Sequence, residues 1–222
     1  MEIPLQLKLK KKSHKEIARL QDITVDALYK IFPKAVLHGG TAIWRCYKGN
    51  RFSEDIDVYI EKDIDRIEAF FKEMEKIGFK VVKKRIKENS LFSKLVFEGT
   101  EVRFEAVFKK TKGIIKEYET TEGILTNVYT FSPEDLIKEK VDTYLFRRKI
   151  RDLYDIFFLI RYVREPADIK ENVLKLLKEF KEPVDAVQLK ALILFGAIPT
   201  KNEIIDYLKR WINQYEKDNT NI

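Results

Sequence analysis

The chain of 222 residues has room for one large domain or two small ones, and a hydrophobic content of 45% excludes wholesale disorder. Charge is heavy, at 36% of residues with a net of +7, and it clusters: from Lys80 to Lys116 eleven Lys and Arg stand against four Glu. Such a basic tract suits polyphosphate or nucleic acid, or is simply a set of solvated strand faces, while a lone Cys46 and the distant His14 and His38 exclude a disulfide scaffold and a Cys/His zinc site.

In chain order, Ser13-His14-Lys15-Glu16 has capping-box spacing and opens a helix to about Ile31, with Ile17, Leu20, Leu28 and Ile31 on one face. After Pro33 a short strand is expected at 35–38, followed by Gly39-Gly40-Thr41, a brief helix to Tyr47 and a turn at Gly49-Asn50. Residues 56–60 alternate like a strand. The next helix, about 63–77, buries Ile64, Ile67, Phe71 and Met74. Strands follow at 79–86, 91–97 and 102–108, then a hairpin of 113–118 and 124–130 around Thr121-Glu122-Gly123. At Ser132-Pro133-Glu134-Asp135 an N-cap, a first-position proline and early acids mark a helix start. From there only helices are expected, at about 133–146, 151–164, 167–180, 184–195 and 201–216. The expected organisation is α+β, with one domain over 1–130 and a helical domain over 131–222. No apolar run approaches a membrane span and residues 1–12 lack a signal-peptide pattern, so a cytoplasmic protein with no membrane partner is expected.

Chemistry concentrates in Leu37–Ile43 and Arg51–Asp57. On a strand, Asp55, Asp57 and Tyr59 share one face while Ile56, Val58 and Ile60 point into the core. Two neighbouring carboxylates repel unless a cation binds, and Mg²⁺ prefers such oxygen ligands. Gly39-Gly40 ahead of a helix offers bare backbone N–H groups as a phosphate cradle, to which Thr41 and Ser53 can add hydroxyls. Glu105 is the one acid in the middle of its strand, and it either completes a three-carboxylate site for two metal ions or pairs with a surface lysine. On the helix from Pro133, Lys140 lies on the inward side with Leu136, Ile137, Val141, Tyr144 and Leu145, whereas Lys138 points outward. An inward lysine needs an anion: a nucleotide phosphate, or Asp152 or Asp155. Tyr154 either stacks on a base or belongs to the core.

Gly39-Gly40-Thr41, a spacer, then Arg51-Phe52-Ser53-Glu54-Asp55-Ile56-Asp57 resembles the motif of polymerase-β-type nucleotidyltransferases, and more narrowly that of the AbiEii/AbiGii nucleotidyltransferase toxin family. That family carries a later Glu-Lys pair and then Arg-Asp-X-Tyr-Asp, matched here by Glu139-Lys140 and Arg151-Asp152-Leu153-Tyr154-Asp155. The resemblance spans about residues 16–165. It implies a polymerase-β-type domain with a mixed sheet, followed by the helical domain. It also implies metal ligands at Asp55 and Asp57, phosphate contacts at Gly40, Thr41 and Ser53 within a nucleotide-binding motif that includes Gly39 and Arg51, the family's lysine at Lys140 and its distal aspartate at Asp152. The expected activity is Mg²⁺-dependent (or Mn²⁺-dependent) transfer of an NMP from an NTP to an acceptor hydroxyl. By resemblance the acceptor is RNA, especially a tRNA 3′ end, and a cognate antitoxin protein is a partner. The Lys80–Lys116 tract and Arg147-Arg148-Lys149 agree with RNA. The alternatives are transfer to a protein or small molecule, or a non-catalytic nucleotide- or RNA-binding regulator.

Overall fold

The computed structural model describes residues 5–220, so residues 1–4 of the stretch considered for a signal peptide lie outside the described residues. The chain groups into two compact units, Met1–Phe131 and Ser132–Ile222.

In the first unit, α1 (Leu5–Lys8), a helix not anticipated from the sequence, buries Leu5 and donates its Gln6 N–H to the Thr121 carbonyl at 3.0 Å. Helix α2 (Lys12–Ile31) starts two residues earlier than the capping box requires. The Lys11 carbonyl accepts from Lys15 N–H, so Ser13 falls inside the first turn and caps nothing. Its buried stripe is Ala18, Leu20, Gln21, Thr24, Val25, Ala27 and Leu28; Ile17 and Ile31 lie half-buried at the margin. Then come β1 (Val36–His38), α3 (Gly39–Cys46), β2 (Asp55–Ile60) and α4 (Ile64–Ile77). In α4 the Asp63 side chain caps the start by accepting from Arg66 N–H at 3.0 Å, and Gly78 ends the helix at φ +108°. Ile67, Phe70, Phe71 and Met74 are buried, but Ile64 is 47% exposed, because it opens the helix outside the apolar stripe.

Strands β3 (Lys80–Ile86), β4 (Ser90–Phe97), β5 (Thr100–Phe108), β6 (Ile114–Glu119) and β7 (Leu125–Thr130) complete a seven-stranded sheet in the order β3-β4-β5-β2-β1-β7-β6. The sheet is mixed: β2 runs parallel to β5 and β1 parallel to β7, and the other neighbours are antiparallel. Helix α2 packs near β5 and α4, and α3 lies against β2 and β6. Along β2, Ile56, Val58 and Ile60 are buried while Asp55, Asp57 and Tyr59 are half-exposed, as strict alternation demands.

In the second unit, α5 (Pro133–Arg147) begins with Ser132 accepting from Asp135 N–H at 3.1 Å and ends at Arg148 in a left-handed conformation, φ +52°. Helices α6 (Ile150–Leu159), α7 (Ala167–Lys178), α8 (Leu189–Leu192) and α9 (Lys201–Thr220) follow. The helix expected at 184–195 is instead a 3₁₀ turn at Ala186–Gln188 and the single turn of α8; Asp185 is drawn away to cap α6, accepting from Ile150 N–H at 2.8 Å. Among the described residues, no helix is long and apolar enough to cross a membrane.

Candidate active site

The β2–β5 register sets Asp57 directly beside Glu105 and Asp55 beside Arg103, while β1 sets His38 on the other side of Asp57. Three carboxylates therefore share one half-exposed sheet face. The Glu105 carboxyl is held above its ordinary range by burial first, then by the charges of Asp57 and Asp55, with Arg103 pulling the other way. Arg103 Nε reaches Asp55 Oδ1 at 2.6 Å.

Helix α3 begins at Gly39 itself, so both glycines form its first turn and their N–H groups are the helix's unsatisfied donors. Gly39 has φ +69°, and a Cβ there would overlap the Asp57 carboxylate. A Cβ on Gly40 would come within 2.5 Å of both Arg51 Nη2 and Ser53 Oγ. The glycines thus let a carboxylate, a guanidinium and a hydroxyl close on the open end of one helix. The loop carrying Arg51 and Ser53 is pinned: the Phe52 ring stacks on His14 at 3.9 Å and meets Trp44 at 4.8 Å, and Gln21 Nε2 donates to the Ser53 carbonyl at 2.9 Å.

Thr41 departs from expectation. Its side chain is buried and its hydroxyl donates to the Asp55 carbonyl, so the backbone N–H and not the hydroxyl is what Thr41 can offer a phosphate. It locks α3 to the start of β2 instead. Among the described residues, no three His, Cys, Asp or Glu side chains are arranged to hold a metal ion. Asp55 is turned to Arg103 while Asp57 abuts Gly39. The donor chemistry nonetheless fits a hard divalent cation, because Asp55 and Asp57 are oxygen donors on one face and the crowding felt by Glu105 is what a cation would relieve.

Sequence reasoning missed the buried polar set under this site. Arg45, 1% exposed, meets Asp22 at 3.1 Å, donates to the Ala18 and Glu119 carbonyls and to Gln21 Oε1, and stacks over Trp44 at 4.2 Å. Asp22 also accepts from Tyr118 Oη and from the Thr121 N–H and hydroxyl. The available signal was Gln21 inside the apolar stripe of α2.

Lys140, Asp152 and Asp155 come together in the second unit. Lys140 Nζ lies 2.8 Å from Asp155 Oδ2 and 3.3 Å from Asp152 Oδ1, and Arg147 grips both oxygens of Asp152 at 2.8 and 2.9 Å. Both aspartates considered as partners of Lys140 thus reach it. Asp152 is wholly buried and does not itself meet solvent. Tyr154 is also buried.

A family profile described as nucleotidyl transferase AbiEii toxin, type IV toxin–antitoxin system, matches residues 26–217. No curated protein sequence matches significantly. Among solved structures, JHP933 from Helicobacter pylori is similar at a TM-score of 0.63 and 18% identity, covering 95% of this chain and 96% of that one. MenT4, a nucleotidyltransferase toxin from Mycobacterium tuberculosis, is similar at 0.57 and 19%, covering 86% of this chain and 70% of its own. At these identities the likeness is one of fold.

Proposed function

Because this chain belongs to the AbiEii nucleotidyltransferase toxin family, and is therefore a nucleotidyltransferase, we propose that it moves an NMP from an NTP to a hydroxyl of RNA, with a tRNA 3′ end as acceptor. The observation that carries this reading is the convergence of Asp57, Arg51 and Ser53 on the glycine turn of α3, with Glu105 beside Asp57. That turn, Arg51 and Ser53 bind the triphosphate through N–H, guanidinium and hydroxyl donors aimed at phosphate oxygens. Asp55 and Asp57 hold Mg²⁺ or Mn²⁺, which when bound supplies charge neutralisation on the phosphates. The acceptor oxygen forms a bond to the α-phosphorus as the bond to the pyrophosphate oxygen breaks, and the hydroxyl proton passes to the Glu105 carboxylate, whose position beside Asp57 supports that role. Lys140, held by Asp152 and Asp155, adds positive charge in the second unit, with 1–130 as the transferase domain and 131–222 as the helical domain. NTP and tRNA as substrates put the protein's action in the cytoplasm, and the family's type IV toxin–antitoxin character supports a cognate antitoxin.

The test is incubation of pure protein with each α-phosphate-labelled NTP, Mg²⁺ and total RNA. Label in RNA with release of pyrophosphate is expected, and none with Asp57→Asn. Label in protein would overturn the RNA acceptor, and no transfer to any macromolecule would overturn the reading.

A further inference from the structure

Beyond Asp57 along the same face lies a second site. Tyr59 sits one side-chain repeat from Asp57, about 7 Å along the strand. Its ring stacks on His38 at 4.1 Å with 22° between the planes, and Phe131 stands 5.5 Å from it. His38 is itself the cross-strand neighbour of Asp57. All three rings are half-buried, so each keeps a face or edge open. An aromatic step therefore runs directly from the carboxylates.

The Tyr59 end of the step lines a cavity of about 910 Å³ whose wall also includes Lys34, Arg66, Lys109, Lys110 and Lys112. Five cations line it against one carboxylate, Glu61, which is already paired with Lys110 at 3.3 Å. Lys109 Nζ stands over the Tyr59 ring at 5.7 Å, joining the cationic wall to the aromatic step. We propose that this pocket is a binding site for a single-stranded nucleic-acid end, with a base stacked on the His38–Tyr59–Phe131 step and phosphates on Lys34, Lys109 and Lys112, which delivers the terminal hydroxyl to Asp57. The inference rests on the transferase reading of the Asp55–Asp57 face. Cations alone would suit any polyanion; their union with stacked rings favours bases joined by phosphates, since every nucleotide pairs an aromatic face with a phosphate whereas acidic side chains carry no aromatic ring.

The test measures binding of a short 5′-labelled single-stranded RNA by fluorescence anisotropy at several salt concentrations, beside calorimetric binding of each NTP. The proteins are wild type, Lys109→Ala/Lys112→Ala and Tyr59→Leu, each checked for folding by thermal melting. The lysine pair lies on a surface loop, so its loss keeps the test valid if Tyr59→Leu fails to fold. The double variant should bind RNA about tenfold more weakly and flatten the logarithmic salt slope by about 1.4, from two contacts at about 0.7 each. Tyr59→Leu should weaken binding about tenfold with the slope kept. NTP affinity should hold in both. RNA affinity and slope equal to wild type in the lysine variant overturn the proposal, as does loss of NTP binding in place of RNA binding, which would make the pocket a nucleotide site. Tyr59-dependent binding of a polyglutamate peptide as tight as that of the RNA would also overturn it. A wild type that releases no pyrophosphate from any NTP sinks the transferase reading, whereas altered pyrophosphate release has no bearing on the RNA affinities that decide this pocket.

Discussion

At the scale of single residues, the site depends on groups that crowd one another and on groups that hold them there. Asp57 is crowded: Glu105 lies opposite it and Gly39 must lack a Cβ to admit its carboxylate. Asp57→Asn should cut transfer at least about a hundredfold, the scale seen when one group stabilising transition-state charge is removed. Without metal, its melting temperature should equal or slightly exceed that of wild type, because a repulsion with Glu105 is gone. Label transfer and a thermal melt check both. Gln21 is one of the holders, joining Arg45 to the Ser53 carbonyl. Gln21→Ala leaves that carbonyl and part of Arg45 unsatisfied, a loss of about 1–3 kcal/mol in urea unfolding, with a raised KM for NTP as Ser53 drifts. Cys46 reports on the same packing: burial pushes its thiol up to about 12, against the pull of Arg45 and Lys116. Since the folded value lies above the unfolded one, this group's contribution to stability is complete below about pH 8.5 and declines as pH rises toward 12. Iodoacetamide at pH 8 should therefore leave native Cys46 unmodified and label it once urea unfolds the chain, as mass spectrometry would read.

At the scale of elements, α5 shows how one helix carries two unlike lysines. Lys138 reaches Asp135 at 3.4 Å on the solvent side, whereas Lys140 is buried between Asp152 and Asp155. Removing one partner of a buried ion pair strands the others, so Lys140→Ala should cost about 3–5 kcal/mol in urea unfolding, eased toward the low end by Arg147 on Asp152. Lys138→Ala should stay within about 0.5 kcal/mol. Unchanged stability in Lys140→Ala together with a raised KM for NTP would assign Lys140 to phosphate binding alone. The start of α5 was plain from Ser132-Pro133 because capping is a local interaction. The start of α2 was not, since Lys11 and not Ser13 stands at its boundary and no side chain caps it.

At the scale of the whole molecule, the charge surplus serves the sheet as well as any ligand. Strand β3 is an edge of the sheet, and its Lys80, Lys83, Lys84 and Arg85 are exposed. Lys84 is bound by both oxygens of Glu68 at 2.8 Å, which lowers the charge it offers to RNA. Charged side chains on an edge discourage pairing with another chain. Replacing Lys83, Lys84 and Arg85 together by Ala should raise self-association in light scattering, while shifting the salt slope of RNA binding less than the Lys109/Lys112 change does. A larger slope change from β3 would return that strand to the list of RNA contacts.

The sequence by itself determined what depends on neighbours along the chain. Alternation in Asp55–Ile60 placed two aspartates and a tyrosine on one face, and the capping signals of Ser132-Pro133 placed the change from sheet to helices. Motif spacing placed the glycine turn with Arg51 and Ser53. Tertiary structure decided what depends on partners distant in sequence. The parallel pairing of β2 and β5 brought Glu105 to Asp57 across 48 positions, and folding committed the Thr41 hydroxyl to the Asp55 carbonyl. It brought both aspartates to Lys140, and it gathered Gln21, Asp22 and Arg45 under the site. The physical reason is that a side chain's orientation follows from local backbone geometry, whereas its partner follows from register and packing, which residues far apart set together.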